Sequence, residues 1–166
     1  VPVGHRFWSK YSGDVLIITE LGIVTASRLV NGTDAQASGQ NMITAKIQQE
    51  VSRQLTRTIS TLGWELHVCP DIDSLLVVTP QEAGIAQMQW CMNNTTKAWS
   101  TFSGMPIVCG AVWRGAFYFG ATNGRVFKAF KVATDAVTTT TSKTIVADFQ
   151  SAFLPIGNGQ RKEIGR

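Results

Sequence analysis

The stretch from Gly63 to Phe130 constrains the fold most, because it reads as two consecutive antiparallel sheet units with almost no linker between them. Residues 64–69 form a strand candidate, Pro70-Asp71-Ile72-Asp73 a turn, and residues 74–79 a second strand that stops at Pro80. In residues 86–92 Ala, Met, Trp and Met alternate with Gln, Gln and Cys, and beyond an Asn93-Asn94 turn a fourth strand candidate covers residues 96–102. A period of two belongs to strands, since successive side chains leave a strand on opposite sides. Four such strands in about 40 residues is the size of one propeller blade. A second unit starts with residues 107–113, turns at Arg114-Gly115, continues through 116–119, and turns again before 125–130.

The beginning of the chain echoes this second unit. Gly13 to Val24 aligns without a gap on Gly115 to Val126, with Gly13 on Gly115, Gly22 on Gly124 and Val24 on Val126, and predicts strands over 14–19 and 23–27. Glycines recur where a tight turn demands positive φ, so the match predicts the same hairpin and says nothing about chemistry. A second echo sets Trp8 to Gly13 against Trp99 to Gly104, an aromatic residue following each Trp three positions on. Both echoes read as partial repeats of one blade type.

After a small, polar loop over 31–42 the period changes. Ile43, Ile47, Val51, Leu55 and Ile59 recur every four residues, which predicts an amphipathic helix over 43–60 that buries Ile47, Val51 and Leu55 and ends before Gly63. Beyond Phe130, residues 133–142 are Thr-rich and open to strand or ordered loop. Residues 144–153 read as another strand, followed by a Gly157-Asn158-Gly159 turn and a basic Arg161-Lys162 pair. The fold class expected is mainly β: antiparallel blade-like sheets, a partial β-propeller, with one helix. Its parts are a partial blade in 1–30, the helix in 43–60, a blade in 63–104, a partial blade in 105–131 and closing strands in 143–166, as one domain or a fragment of a longer chain; a start at Val1 without a methionine suggests either processing or such a fragment.

With 44% hydrophobic and 16% charged residues in 166, the chain has the profile of a packed protein. A net charge of +4 and a pI near 9.2, with the basic residues scattered along the sequence, permit nucleic-acid binding without indicating it. No apolar run reaches the roughly 18 residues of a membrane span. Cys69, Cys91 and Cys109 stand singly inside strand candidates, which favours buried free thiols over a disulfide framework.

Chemistry is hard to assemble from this sequence. His5 and His67 are its two histidines, and neither has an adjoining acid with a nucleophile, or a second histidine at ligand spacing. Asp71 and Asp73 share one turn and offer a carboxylate pair for glycoside cleavage or calcium, but aspartate bonds its own backbone in turns and the turn explains both. The glycines of 110–115 and 120–124 lack the lysine and following helix of a phosphate loop. The aromatic residues left as binding or packing candidates are Trp64, Trp90, Trp99, Trp113 and Tyr118.

Taken in order, Gly63-Trp64-Glu65-Leu66, Leu75 to Pro80, Thr96 to Gly104, Gly115 to Gly120 and Gly124-Arg125-Val126 resemble the propeller part of the packaged-DNA stabilisation, tail tubular or tail nozzle proteins of short-tailed bacteriophages. Asp14 to Val24, the helix around Lys46-Ile47 and the closing Phe153 to Lys162 follow the same order, so the resemblance covers nearly the whole chain. Such proteins are several times longer, and the resemblance therefore implies a carboxy-terminal portion without the other blades. It further implies a non-enzymatic structural component of a phage or prophage virion, made in the bacterial cytoplasm and placed in the tail. Its partners would be further copies in a ring and other neck or tail proteins, with DNA only as channel contents, and with no cofactor or small-molecule substrate. The rival from another class is a carbohydrate- or receptor-binding propeller module that uses Trp64, Trp90, Trp113 or Tyr118 as a stacking platform. Solvent exposure of those rings separates the two.

Overall fold

A computed structural model of the chain describes residues 6–30, 42–131, 134–136 and 142–147, which fall in two compact units, Val1–Lys131 and Val132–Arg166. In the first unit, β1 (Trp8–Tyr11), β2 (Asp14–Thr19) and β3 (Gly22–Thr25) form an antiparallel sheet in that order. Helix α1 (Ala26–Val30) follows, and then α2 (Gln48–Thr58), which is led in by a 3-10 turn over Ala45–Ile47. The second sheet runs β4 (Glu65–Cys69), β5 (Ser74–Val78), β6 (Met88–Asn93), β7 (Trp99–Ser103), again antiparallel in chain order. The third contains β8 (Ile107–Trp113), β9 (Ala116–Ala121) and β10 (Val126–Lys128), with β9 in the middle. The second unit holds one antiparallel pair, β11 (Thr134–Ala136) with β12 (Ser142–Thr144).

The protein is thus mainly β, and the four strands expected between Trp64 and Phe102 pair as one sheet. The first and third sheets repeat one hairpin. Ser12-Gly13 (φ 48° and 82°) and Arg114-Gly115 (φ 49° and 83°) are two-residue turns with both residues in the left-handed region, a geometry that matches the twist of paired strands. Tyr11 faces Asp14 as Trp113 faces Ala116. The correspondence fails at the next turn. Gly22 pairs with Thr19 at φ 136°, whereas Gly124 lies in a longer turn at φ 75°, and Val126 faces Gly120 one position out of step with Val24 and Ile17. The echo between Trp8 and Trp99 is not structural: Trp8 opens the first strand of one sheet, Trp99 the last strand of another, and Gly104 leads out of its sheet instead of closing a hairpin.

Several expected boundaries move for identifiable reasons. The strand expected to reach Ser27 stops at Thr25, because the Asp14 carboxylate accepts hydrogen bonds from the Ser27 N–H and hydroxyl and so gives one free N–H in the first turn of α1 its acceptor. Helix α2 starts at Gln48 because the Thr44 hydroxyl is held by the Ile23 N–H and Gln48, pinning the chain to β3 before it can coil; Val51 and Leu55 are buried as expected, Ile47 only partly. Strand β6 begins at Met88, since the Gln87 side chain leaves the ladder to bond Thr79 O and the Ile107 N–H and C=O. Of the strand expected over 144–153, only Thr144 is in β12, residues 145–147 are not in a strand, and the remainder, with the turn at 157–159 and Arg161-Lys162, lies outside the described residues, as does His5.

The second sheet is the middle layer of the first unit. Leu66, Leu75, Val77, Trp90 and Met92 point to one side, where they pack with Leu16, Ile18 and Ile23 of the first sheet and Val51 and Leu55 of α2. Cys69, Leu76, Val78 and Cys91 point to the other side, against Ile107, Phe117 and Phe119 of the third sheet. Burial on both faces explains why β5 is a continuous apolar run, and why the alternation in β6 does not separate inside from outside: Gln89, Trp90, Cys91 and Met92 are all buried. The first strands also lie side by side. Leu66 N–H donates to Arg6 O just ahead of β1 (2.9 Å), and β4 in turn contacts β8.

Candidate functional site

The five aromatic candidates divide by burial. Trp64 and Trp90 form a tilted ring pair at 5.9 Å inside the core, 1% and 2% exposed, with the Trp64 indole N–H donating to Thr58 O at the end of α2. Trp99 is partly buried at the edge of the same cluster. Trp113 is 57% exposed and meets the half-buried Tyr118 edge to face at 5.9 Å. The Arg114 guanidinium lies 4.5 Å from the Trp113 ring centre, and Lys128 Nζ 5.4 Å from that of Tyr118. Strand register explains the cluster: Ala111, Tyr118 and Lys128 sit abreast across β8, β9 and β10, and Trp113 is two residues on from Ala111 on the same side. Cys109 and Val126, the latter 75% exposed, complete this outward face, while Phe117, Phe119 and Phe127 take the inward one.

A second polar constellation is buried where β4 meets β8. Glu65 and His67, two apart on one side of β4, join through Oε2 and Nε2 at 2.8 Å, and the same Oε2 accepts the Gly110 N–H at 2.8 Å. Arg6 donates to Gly110 O, tying in the approach to β1. His67 therefore does have an acid beside it, which the spacing of two along a strand signalled. Cys69 is next on that side, but burial pushes its thiol up to about 12, so it stays un-ionised at neutral pH and is no nucleophile. The polar atoms named above bond to one another, and the arrangement joins β4, β8 and the approach to β1.

Asp71 and Asp73 do not converge. The Asp73 carboxylate accepts from the Thr95 hydroxyl at 2.7 Å and from Asn94 Nδ2 at 3.2 Å, bonds that hold it below the usual carboxylate range and tie the β4–β5 turn to the β6–β7 turn. Asp71 donates its N–H to Gly115 O. Between α2 and the 80–88 segment lies a cleft of about 160 Å³, whose Arg53 and Arg57 are paired with Glu50 and Glu82; it falls short of the few hundred Å³ that small-molecule sites occupy. Among the described residues no group of three or more His, Cys, Asp or Glu could hold a metal ion, and no helix is long and apolar enough to cross a membrane.

No family model, curated protein or solved structure matches the chain.

Proposed function

We propose that the chain is a structural component of a phage or prophage tail, working through self-association and contact with neighbouring neck or tail proteins. The observation that carries this reading is the stack of three blade-like sheets with the approach to β1, β4 and β8 side by side. Sheets stacked face to face with their first strands together trace an arc, and further sheets of the same kind complete a ring. Surfaces for association support it too. Strand β7 is an edge strand with neither charge nor proline, the kind of edge that monomeric proteins usually guard, and Trp8, Leu29 and Val30 leave apolar area exposed beside the first sheet.

Size exclusion with light scattering, followed by electron microscopy of the chain and of any longer protein containing it, tests the reading. Closed rings that are lost when β7 carries Thr101→Lys support it, and a monomer at every concentration in both contexts overturns it. A second reading, a carbohydrate- or receptor-binding module, rests on the exposure of Trp113 beside Tyr118, with Trp64 and Trp90 withdrawn into the core.

A further inference from the structure

We propose that the outward face of the third sheet binds single-stranded nucleic acid, with Trp113 and Tyr118 as base-stacking rings and Arg114 and Lys128 as phosphate contacts. This goes beyond assembly and does not depend on it. The first observation is charge. Residues 83–134 contain no Asp or Glu and five Lys or Arg, so the scatter of basic residues along the whole sequence hides a segregation of acids out of this region. Three of the five cations belong to the third sheet and its turns, and Arg114, Arg125 and Lys128 form no ion pair among the described residues. One acid does reach the β8–β9 turn: Asp71 donates its N–H to Gly115 O and its Oδ1 lies 3.4 Å from where a Gly115 Cβ would be, but it makes no salt bridge to Arg114.

The second observation is the composition of the face. Cys109, Ala111, Trp113, Tyr118, Val126 and Lys128 supply ring surface, apolar surface and positive charge, but no carboxylate or amide. A neutral sugar is held by hydrogen bonds to its hydroxyls, and beyond the Tyr118 hydroxyl this face has no acceptor to make them. A single strand of nucleic acid asks for the two things present: flat rings, because every base has a π face, and cations for the phosphates. Arg114 lies over the Trp113 ring and Lys128 over the Tyr118 ring, so a base that stacks on the free side of a ring, or displaces its cation, brings its own phosphate within reach of that cation.

The test uses the full chain and a fluorescein-labelled twelve-nucleotide oligo-dT, read by fluorescence anisotropy. A duplex of equal length, a sulfated polysaccharide and a neutral polysaccharide serve as competitors. Saturable binding is expected with quenching of tryptophan emission. With two phosphate contacts the affinity should fall roughly 7-fold between 50 and 200 mM salt. Trp113→Ala should weaken binding about tenfold, by loss of one stacked base, while the protein stays folded with a melting temperature lowered only by the lost contacts to Tyr118 and Arg114. Arg114→Asn with Lys128→Gln should flatten the salt dependence; Asn-Gly suits the positive φ of that turn and keeps the hairpin intact. The proposal is overturned by an absence of binding at low salt, by binding indifferent to Trp113→Ala, by a preference for the duplex or the sulfated polysaccharide, or by light scattering in which Trp113→Ala dissociates an oligomer of the parent protein, since the face is then covered by another copy. Ring formation measured on the same variants reports separately on assembly.

Discussion

Replacing Gly110 by alanine adds one methyl group where three buried side-chain atoms already crowd the backbone. A Cβ there would stand 2.6 and 2.7 Å from two ring carbons of Phe117 and 2.9 Å from His67 Nε2, all closer than atoms tolerate. The Gly110 backbone is not in the left-handed region, so the cost is steric and not conformational. Neither neighbour yields freely. Phe117 is 1% exposed and packed between the rings of Phe119 and Phe130, and His67 is held by Glu65, which also accepts the Gly110 N–H. Overpacking of this kind costs about 1–3 kcal/mol, and stretching the buried bonds to Glu65 brings the total to about 2–4 kcal/mol. For a domain of this size that lowers the melting temperature by roughly 4–16 °C. Urea unfolding followed by circular dichroism measures the change, with Gly124→Ala as a control: nothing lies within 4 Å of that Cβ, and only the φ of 75° opposes it, at about 1 kcal/mol. Combining Gly110→Ala with Phe117→Leu should recover part of the loss, because the smaller side chain vacates the contested space. A midpoint indistinguishable from the parent protein, or a double variant that is simply additive, refutes the reasoning.

Three further outcomes are expected. Val51→Asp should cost several kcal/mol, since it places an unpaired charge among Leu16, Ile23 and Trp64; an unchanged urea midpoint would show that the α2 stripe is not packed as described. A thiol reagent should modify Cys109 in the folded protein and reach Cys69 and Cys91 only on denaturation, which a titration with and without urea counts directly. The carboxyls of Asp14, Asp73 and Glu82 all titrate below their ordinary values, held down first by Ser27, by Thr95 and by Arg57 respectively. Their stabilisation is therefore complete above the ordinary carboxylate range of about 4 and is lost as the pH falls through their folded values, so the urea midpoint should drop between pH 5 and pH 3; a flat profile would show these bonds do not persist in solution.

Local signals carried much of this fold. A period of four exposed the α2 stripe, alternation and turn residues located β4 to β7, and Gly13 and Gly115 marked two hairpins whose turns agree within a few degrees. What stayed hidden depended on residues distant in sequence. The cap on α1 comes from Asp14, across the first sheet, so nothing near Ala26 announced a helix. Glu65 beside His67 was legible from their spacing, but its bond to Gly110 was not, because it spans two sheets. The cationic face was legible only as an absence of acids. Arg114 and Lys128 look scattered until strand pairing sets β10 and the β8–β9 turn on one sheet.

Leu75 and Leu76 are adjacent in the chain and belong to different cores, one shared with α2 and the first sheet, the other with the third sheet. Strand β5 is thus a partition wall, and each outer layer depends on it while having no core in common with the other. Opening of either outer sheet exposes one side of the wall and leaves the opposite side covered, as in a stack of units that interact with nearest neighbours. Backbone amides of Leu75 to Val78 should accordingly exchange with solvent only through complete unfolding, whereas those of β2 and β9 exchange by separate, cheaper openings, so that damage to one flank of the molecule is contained before it reaches the other.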